Sequence, residues 1–117
     1  MAERGDRRSV DLLVGDVYRG VDAPLLRDLT ASSFAKLAST RPDDLAQALM
    51  GLVGENVALL CGGLARGLAI DTVVYCGSTL SENPALRRIV GDITTHLGQR
   101  PAFLAGGAFC GAVGAAG

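Results

Sequence analysis

Tryptophan is absent, histidine occurs once, and aromatic residues make up only 4% of the 117-residue chain. So few rings leave little for nucleic-acid bases to stack on. The formal net charge is −1, which offers neither the basic face of a nucleic-acid binder nor a polybasic membrane patch. Arg7-Arg8 and Arg87-Arg88 are isolated pairs and read as solvated surface. The three cysteines, Cys61, Cys76 and Cys110, form no Cys-x-x-Cys pair. An odd number without a secretory segment argues against a disulfide framework, and their apolar neighbours suggest buried, reduced thiols. With one histidine, His96, metal ligation has too few partners. The amino-terminal "MAERGDRRS" lacks the apolar core of a signal peptide. No uninterrupted apolar run reaches the ~20 residues of a membrane span. The chain therefore reads as soluble and cytoplasmic, with no nucleic-acid or membrane partner.

Glycine is abundant, at 16 residues, and most of it lies in apolar sequence, which points to close packing rather than to flexible linkers. The segment Ser9–Tyr18 reads as a strand, with a short helix from about Ala31 to Ala38 capped by Asp28 or Thr30. A long helix opens at Thr40 as N-cap, with Pro42 in its first turn and Asp43 and Asp44 where the helix dipole favours anions. Its apolar arc (Leu45, Leu49, Leu52, Val53, Leu59, Leu60, Leu64) is wider than one stripe, so the helix is either central or covered by a partner on a second side. Glu55 and Asn56 interrupt that arc. Either both point to solvent or cap a neighbouring loop, or Asn56 orders backbone at an interface or site.

Thr72–Cys76 reads as a strand covered on both faces, and Asn83-Pro84 starts a helix closed by Gly98. A strand at "PAFLAG" and a small-residue helix, "GAFCGAVGAAG", complete the chain. The whole is an α/β chain layered on both faces of its sheet, with no repeat and no clear domain boundary. Gly77-Ser78-Thr79 falls at the carboxyl end of a strand, where such sheets bind ligands. As pattern alone, it is either an ordinary joint or a ligand loop. Asp11 and Asp16, five apart in a strand, face opposite sides and do not act together. No phosphate loop of the Gly-x-x-x-x-Gly-Lys kind and no nucleophile elbow is present, so no catalytic residue is assigned.

The segments "VDLLVGDVY" with "DLTASSFAKL", "PDDLAQALMGLVGENVALL", "VVYCGSTLSENPALRRIV" and "PAFLAGGAFCGAVGAAG" together resemble the type II pantothenate kinases of the actin-like ATPase and sugar-kinase superfamily. The resemblance implies the carboxyl-terminal part of a ribonuclease H-like kinase fold: one partial domain over residues 1–117, with a mixed sheet and a long central helix. It implies ATP, magnesium and pantothenate as reactants in the intact enzyme, and a homodimer through the Leu45–Leu64 helix. Gly77, Ser78 and Thr79 would line the adenosine side of the nucleotide site. Thr79 is the first choice for a side-chain contact, because bacterial relatives have serine in its place. The helix asparagine of the family falls at Asn56. Residues Leu29–Ala31 and Ile93 would approach the partner's pantothenate pocket. Leu26-Arg27-Asp28 stands where such kinases have Leu-Pro-Gly, and Ala35 where they have glycine. The family's aspartate-glycine phosphate loop, catalytic glutamate and glycine-threonine loop lie upstream of the matching region, which makes Met1 an expected internal start. The implied function is pantothenate kinase, with this stretch inactive by itself. A non-catalytic dimerisation or regulatory module and a degenerate remnant with an exposed sheet edge are the alternatives.

Overall fold

The computed structural model describes all residues, 1–117. Its contacts divide the chain into two compact units, Met1–Asn56 and Val57–Gly117. The first contains β1 (Leu12–Leu13), α1 (Val14–Val17), α2 (Pro24–Asp28), β2 (Thr30–Ser32) and the opening of α3 (Pro42–Gly67). The second takes the rest of α3, then β3 (Thr72–Tyr75), α4 (Pro84–His96), β4 (Arg100–Phe103) and α5 (Cys110–Ala116). This is an α/β chain with a long helix. Instead of one mixed sheet it has two separate strand pairs, β1–β2 antiparallel and β3–β4 parallel.

Two expectations for the first unit are corrected. The strand over Ser9–Tyr18 shrinks to Leu12–Leu13 and runs directly into the single turn of α1. The Asp16 carboxylate, accepting from the Leu13 N–H at 2.8 Å, rewards that turn. The helix over Ala31–Ala38 does not form. Its N–H groups are taken elsewhere: Lys36 and Leu37 donate to the Val10 carbonyl and Ala38 to that of Ser9. Phe34 donates to the carboxylate of fully buried Asp11 at 2.8 Å. Positive φ at Phe34 (56°) and Leu37 (43°) breaks any helical run. Asp11 and Asp16 are not strand partners at all, since Asp16 is exposed and pairs with Lys36 at 2.7 Å.

Helix α3 starts at Pro42, so Arg41, not Thr40, precedes it, and the Arg41 carbonyl accepts from the Leu45 N–H. Its buried positions are Asp44, Ala48, Gly51, Gly54, Glu55, Ala58, Gly62 and Ala65, which, apart from Gly54 beside Glu55, follow steps of four and three. Apart from Asp44 and Glu55, the helix therefore buries only small residues, and it leaves Leu49, Val53, Leu60 and Leu64 exposed. Glycine permits this: a Cβ at Gly51 would collide with the Arg7 guanidinium, and one at Gly62 with the Leu97 side chain. By length and composition α3 also suffices to cross a membrane, with a mean hydropathy of 1.6. Buried Asp44 and Glu55 tie it to protein instead.

Asp44 locks the entry to α3. Its carboxylate accepts from the Ser39 hydroxyl at 2.5 Å and from the Asp6 N–H at 2.8 Å. Those bonds, Ser39's first, hold its pKa below the ordinary aspartate value of 3.8. A depressed folded pKa means stability present above the unfolded pKa and lost as pH falls through the folded one. Urea unfolding of Asp44→Asn should show a lower midpoint than wild type at pH 7 and a smaller loss on going to pH 3. An unchanged acid slope would contradict the assignment.

The second unit follows its sequence closely. Asn83 caps α4 by accepting from the Leu86 N–H, Pro84 occupies the first turn, and Leu86, Val90 and Ile93 are buried. Gly98 (φ 90°) closes the helix by donating to Thr95. β3, however, is not covered on both faces, since Val74 is 58% exposed.

Candidate functional site at the carboxyl edge of the parallel strands

Parallel pairing sets Tyr75 beside Phe103, so both strands release their chains at one edge. After β3, Gly77 takes φ 125° and ψ 157°, a conformation essentially confined to glycine. The backbone then makes a single 3₁₀ turn, Ser78–Leu80. After β4, Gly106 (φ 68°) reverses the chain into a second such turn, Gly107–Phe109. The two loops are stitched together by the Gly77 N–H donating to the Gly107 carbonyl at 3.0 Å and the Leu104 N–H to that of Tyr75 at 3.1 Å.

A cavity of about 490 Å³ opens at this edge. Its aromatic wall is Tyr75 stacked on Phe103, with ring centroids 5.7 Å apart and planes inclined by 29°. The Arg87 guanidinium lies over the Phe103 ring at 4.8 Å. Arg87 is thus committed to a ring. The phenol of Tyr75 shares a 2.7 Å hydrogen bond with Thr94, whose hydroxyl also donates to the Val90 carbonyl. Burial pushes the Tyr75 pKa up and outweighs the opposing effect of the Thr94 bond, so the ring stays neutral and packs as a hydrophobe.

Gly77 lines this cavity, whereas Ser78 and Thr79 occupy the adjoining turn, exposed and outside the lining. Glu82 is the carboxylate at the wall and Arg87 the cation. An apolar plate with glycine backbone at its rim suits a flat ring system. No group of three or more His, Cys, Asp or Glu residues is assembled to hold a metal ion.

Other residues singled out in the sequence have different places. His96 is exposed at the end of α4. Ile93 is 4% exposed and belongs to the second unit's core. The cysteines are not uniformly buried: Cys76 is exposed, while Cys61 and Cys110 are half-buried. Asn56 is exposed and donates to the Leu52 carbonyl of its own helix at 2.7 Å. Glu55 is the residue that orders backbone. It is 6% exposed, accepts from the Thr30 N–H and hydroxyl, and pairs with Arg7 at 2.7 Å. Arg7 is consequently no surface cation, its side chain being 13% exposed. Nothing in the residue pattern singled out Tyr75, Phe103 and Arg87 together. The available signal was two aromatic residues, each ending a strand just before a glycine-bearing loop.

The first unit has a cavity of about 500 Å³ whose wall is of mixed charge, with Arg8, Arg27, Asp16, Asp22 and Asp28. Leu29–Ala31 lead from its edge into β2, where Thr30 is held by Glu55.

The Fumble family model matches residues 1–117. The chain is 37% identical over 120 residues to proteins named type II pantothenate kinase from Staphylococcus aureus strains USA300, NCTC 8325 and COL. The alignment takes in 98% of this chain and 45% of each relative. The chain thus spans less than half the length of these relatives. Matched by the family model from end to end, it belongs to the Fumble family of type II pantothenate kinases.

Proposed function

We propose that residues 1–117 are the carboxyl-terminal portion of a pantothenate kinase, an enzyme that moves the γ-phosphoryl group of ATP to pantothenate in coenzyme A synthesis in the cytoplasm. In this reading the cavity beside Gly77 receives the adenosine end of ATP, and magnesium arrives with the phosphates it neutralises. The Tyr75–Phe103 plate contacts the base, Gly77 lets backbone approach the ribose side, and Ser78 and Thr79 donate from the rim. The observation that carries the reading is the strained Gly77 turn at the end of a parallel strand pair, opening on an aromatic-walled cavity. The actin-like, ribonuclease H-like fold is part of this proposal, as is the chain's place as a partial domain resembling the family's carboxyl-terminal lobe.

Calorimetric titration of the chain with ATP tests it. Gly77→Ala should weaken binding at least ~10-fold, because an alanine there is strained by ~1–3 kcal/mol and its methyl group occupies the approach to the ligand. Equal binding by wild type and variant, or no binding by wild type, would sink the adenosine-site reading. Phosphoryl transfer is a separate matter. It needs a positioned base and electrostatic clamps on the phosphates, and this cavity holds a single carboxylate, Glu82. The 117-residue chain by itself is expected to form no phosphopantothenate, and turnover by the purified chain would overturn that.

A second reading, a non-catalytic module that dimerises or modulates a kinase, is favoured by one observation. The outer face of α3 carries exposed Leu49, Val53, Val57, Leu60 and Leu64, one continuous stripe at steps of three and four. In both readings that stripe is where a second copy docks.

A further inference from the structure

We propose that Cys76 and Cys110 form a redox-active pair, oxidised to an intramolecular disulfide by a low-molecular-weight disulfide. The geometry rests on Gly107. Its carbonyl accepts from the Gly77 N–H at 3.0 Å, and a Cβ built on Gly107 would stand 3.1 Å from the Cβ of Cys76. Cys76 therefore lies directly against the turn that leads into α5, and Cys110 is three residues further on, at the first position of that helix. Cys110 is the neighbour whose thiol pushes the pKa of Cys76 up, as expected for two thiols placed side by side. Cys76 is exposed and Cys110 half-buried, so a small oxidant reaches them.

In the reaction, one cysteine thiolate attacks a sulfur of the small disulfide, forming a mixed disulfide and expelling one thiolate. The neighbouring cysteine thiolate then attacks the protein-side sulfur, closing the Cys76–Cys110 bond and expelling the second. The two protons lost by the cysteines end on the two released thiols. Two cysteines are oxidised and one small disulfide is reduced. Cys76, Gly106, Gly107 and Phe109 all line the cavity, so the new bond would pin its two loops together. That oxidation alters nucleotide affinity rests on the proposed function; the bond itself does not.

The test is to incubate the reduced 117-residue chain with oxidised glutathione, block the remaining thiols by alkylation, and map the peptides by mass spectrometry. The expected product is a Cys76–Cys110 linked peptide with Cys61 alkylated, reversed by excess reduced glutathione. Cys76→Ser and Cys110→Ser should each leave a glutathione adduct on the surviving partner. The oxidised chain should unfold roughly 5–10 °C higher than the reduced one. Alkylation or glutathionylation of both residues without a link would overturn the proposal, as would a link through Cys61 or to a second chain. ATP titration of the two forms separates the claims. If the link forms and the reduced chain binds no ATP, the proposed function fails and the redox pair stands. If both forms bind ATP equally, the effect of oxidation on the nucleotide is refuted.

Discussion

Replacing Glu55 with alanine is expected to lower the unfolding free energy by about 3–5 kcal/mol, the cost of stranding a buried charge. Arg7 reaches Glu55 at 2.7 Å, while its other carboxylate neighbour, Asp11, stands off at 3.9 Å. The Arg7 guanidinium also donates to the Thr30 hydroxyl at 3.1 Å and to the Asp28 carbonyl. One arginine thus ties the start of the chain to β2 and α3 within the first unit. Without Glu55, the Thr30 N–H and hydroxyl lose their acceptor, and the guanidinium keeps its desolvation cost with its nearest counter-charge gone. Glu55→Gln retains an acceptor for Thr30 and should fall between wild type and alanine. The double variant Arg7→Ala/Glu55→Ala should be much less destabilised than the sum of the singles, because each single leaves the other partner unpaired. Urea unfolding of wild type, Glu55→Ala, Glu55→Gln, Arg7→Ala and the double variant decides it. A loss under ~1 kcal/mol for Glu55→Ala would show the pair to be solvated, as surface pairs are.

The second large effect concerns the outer face of α3. Leu60 and Leu64 are each 68% exposed, and a face of this kind marks an interaction surface. Covering two such leucines by a second copy contributes roughly 3 kcal/mol, which corresponds to about a 100-fold change in dissociation constant. The double variant Leu60→Glu/Leu64→Glu also sets like charges near each other across a two-fold interface, so self-association should weaken at least ~100-fold. Because these side chains make up none of the buried face, the isolated chain should keep its thermal midpoint within a few degrees when measured dilute. Sedimentation equilibrium across a concentration series reads both. A wild-type chain that stays monomeric, or a double variant that dimerises as tightly, would remove the dimer from the proposal.

Local chemistry that competes with nothing was legible from the residues. Asn83-Pro84 supplies a cap and a preset φ, so α4 begins where expected. Gly98 can take positive φ, so it ends there too. Val73, Val74 and Tyr75 form a strand, and Gly77 breaks it. Family membership was legible as well, because the order of four motifs carries more information than any one of them. The segments that misled were those whose backbone groups find partners far along the chain. Residues 31–38 have a sequence that tolerates helix, yet Asp11, Val10 and Ser9 claim their N–H groups. Periodicity cannot register a carboxylate twenty-three residues away.

For α3, the sequence by itself determined that a helix of this length exists and that one side of it is rich in leucine and valine. Which side faces inward was decided only by tertiary structure. Hydrophobic patterning alone would bury the leucines; close approach of the backbone instead buries Ala48, Gly51, Ala58 and Gly62, because small residues admit the Arg7 and Leu97 side chains where a Cβ would collide. The same holds at the candidate site. The residues alone mark Gly77 as a turn at a strand end, but its aromatic wall exists because parallel pairing brings Phe103 level with Tyr75 across twenty-eight positions of sequence. Composition and spacing act over a few residues, whereas strand register and buried charge pairing act across the fold, and the cavity is a product of the second kind.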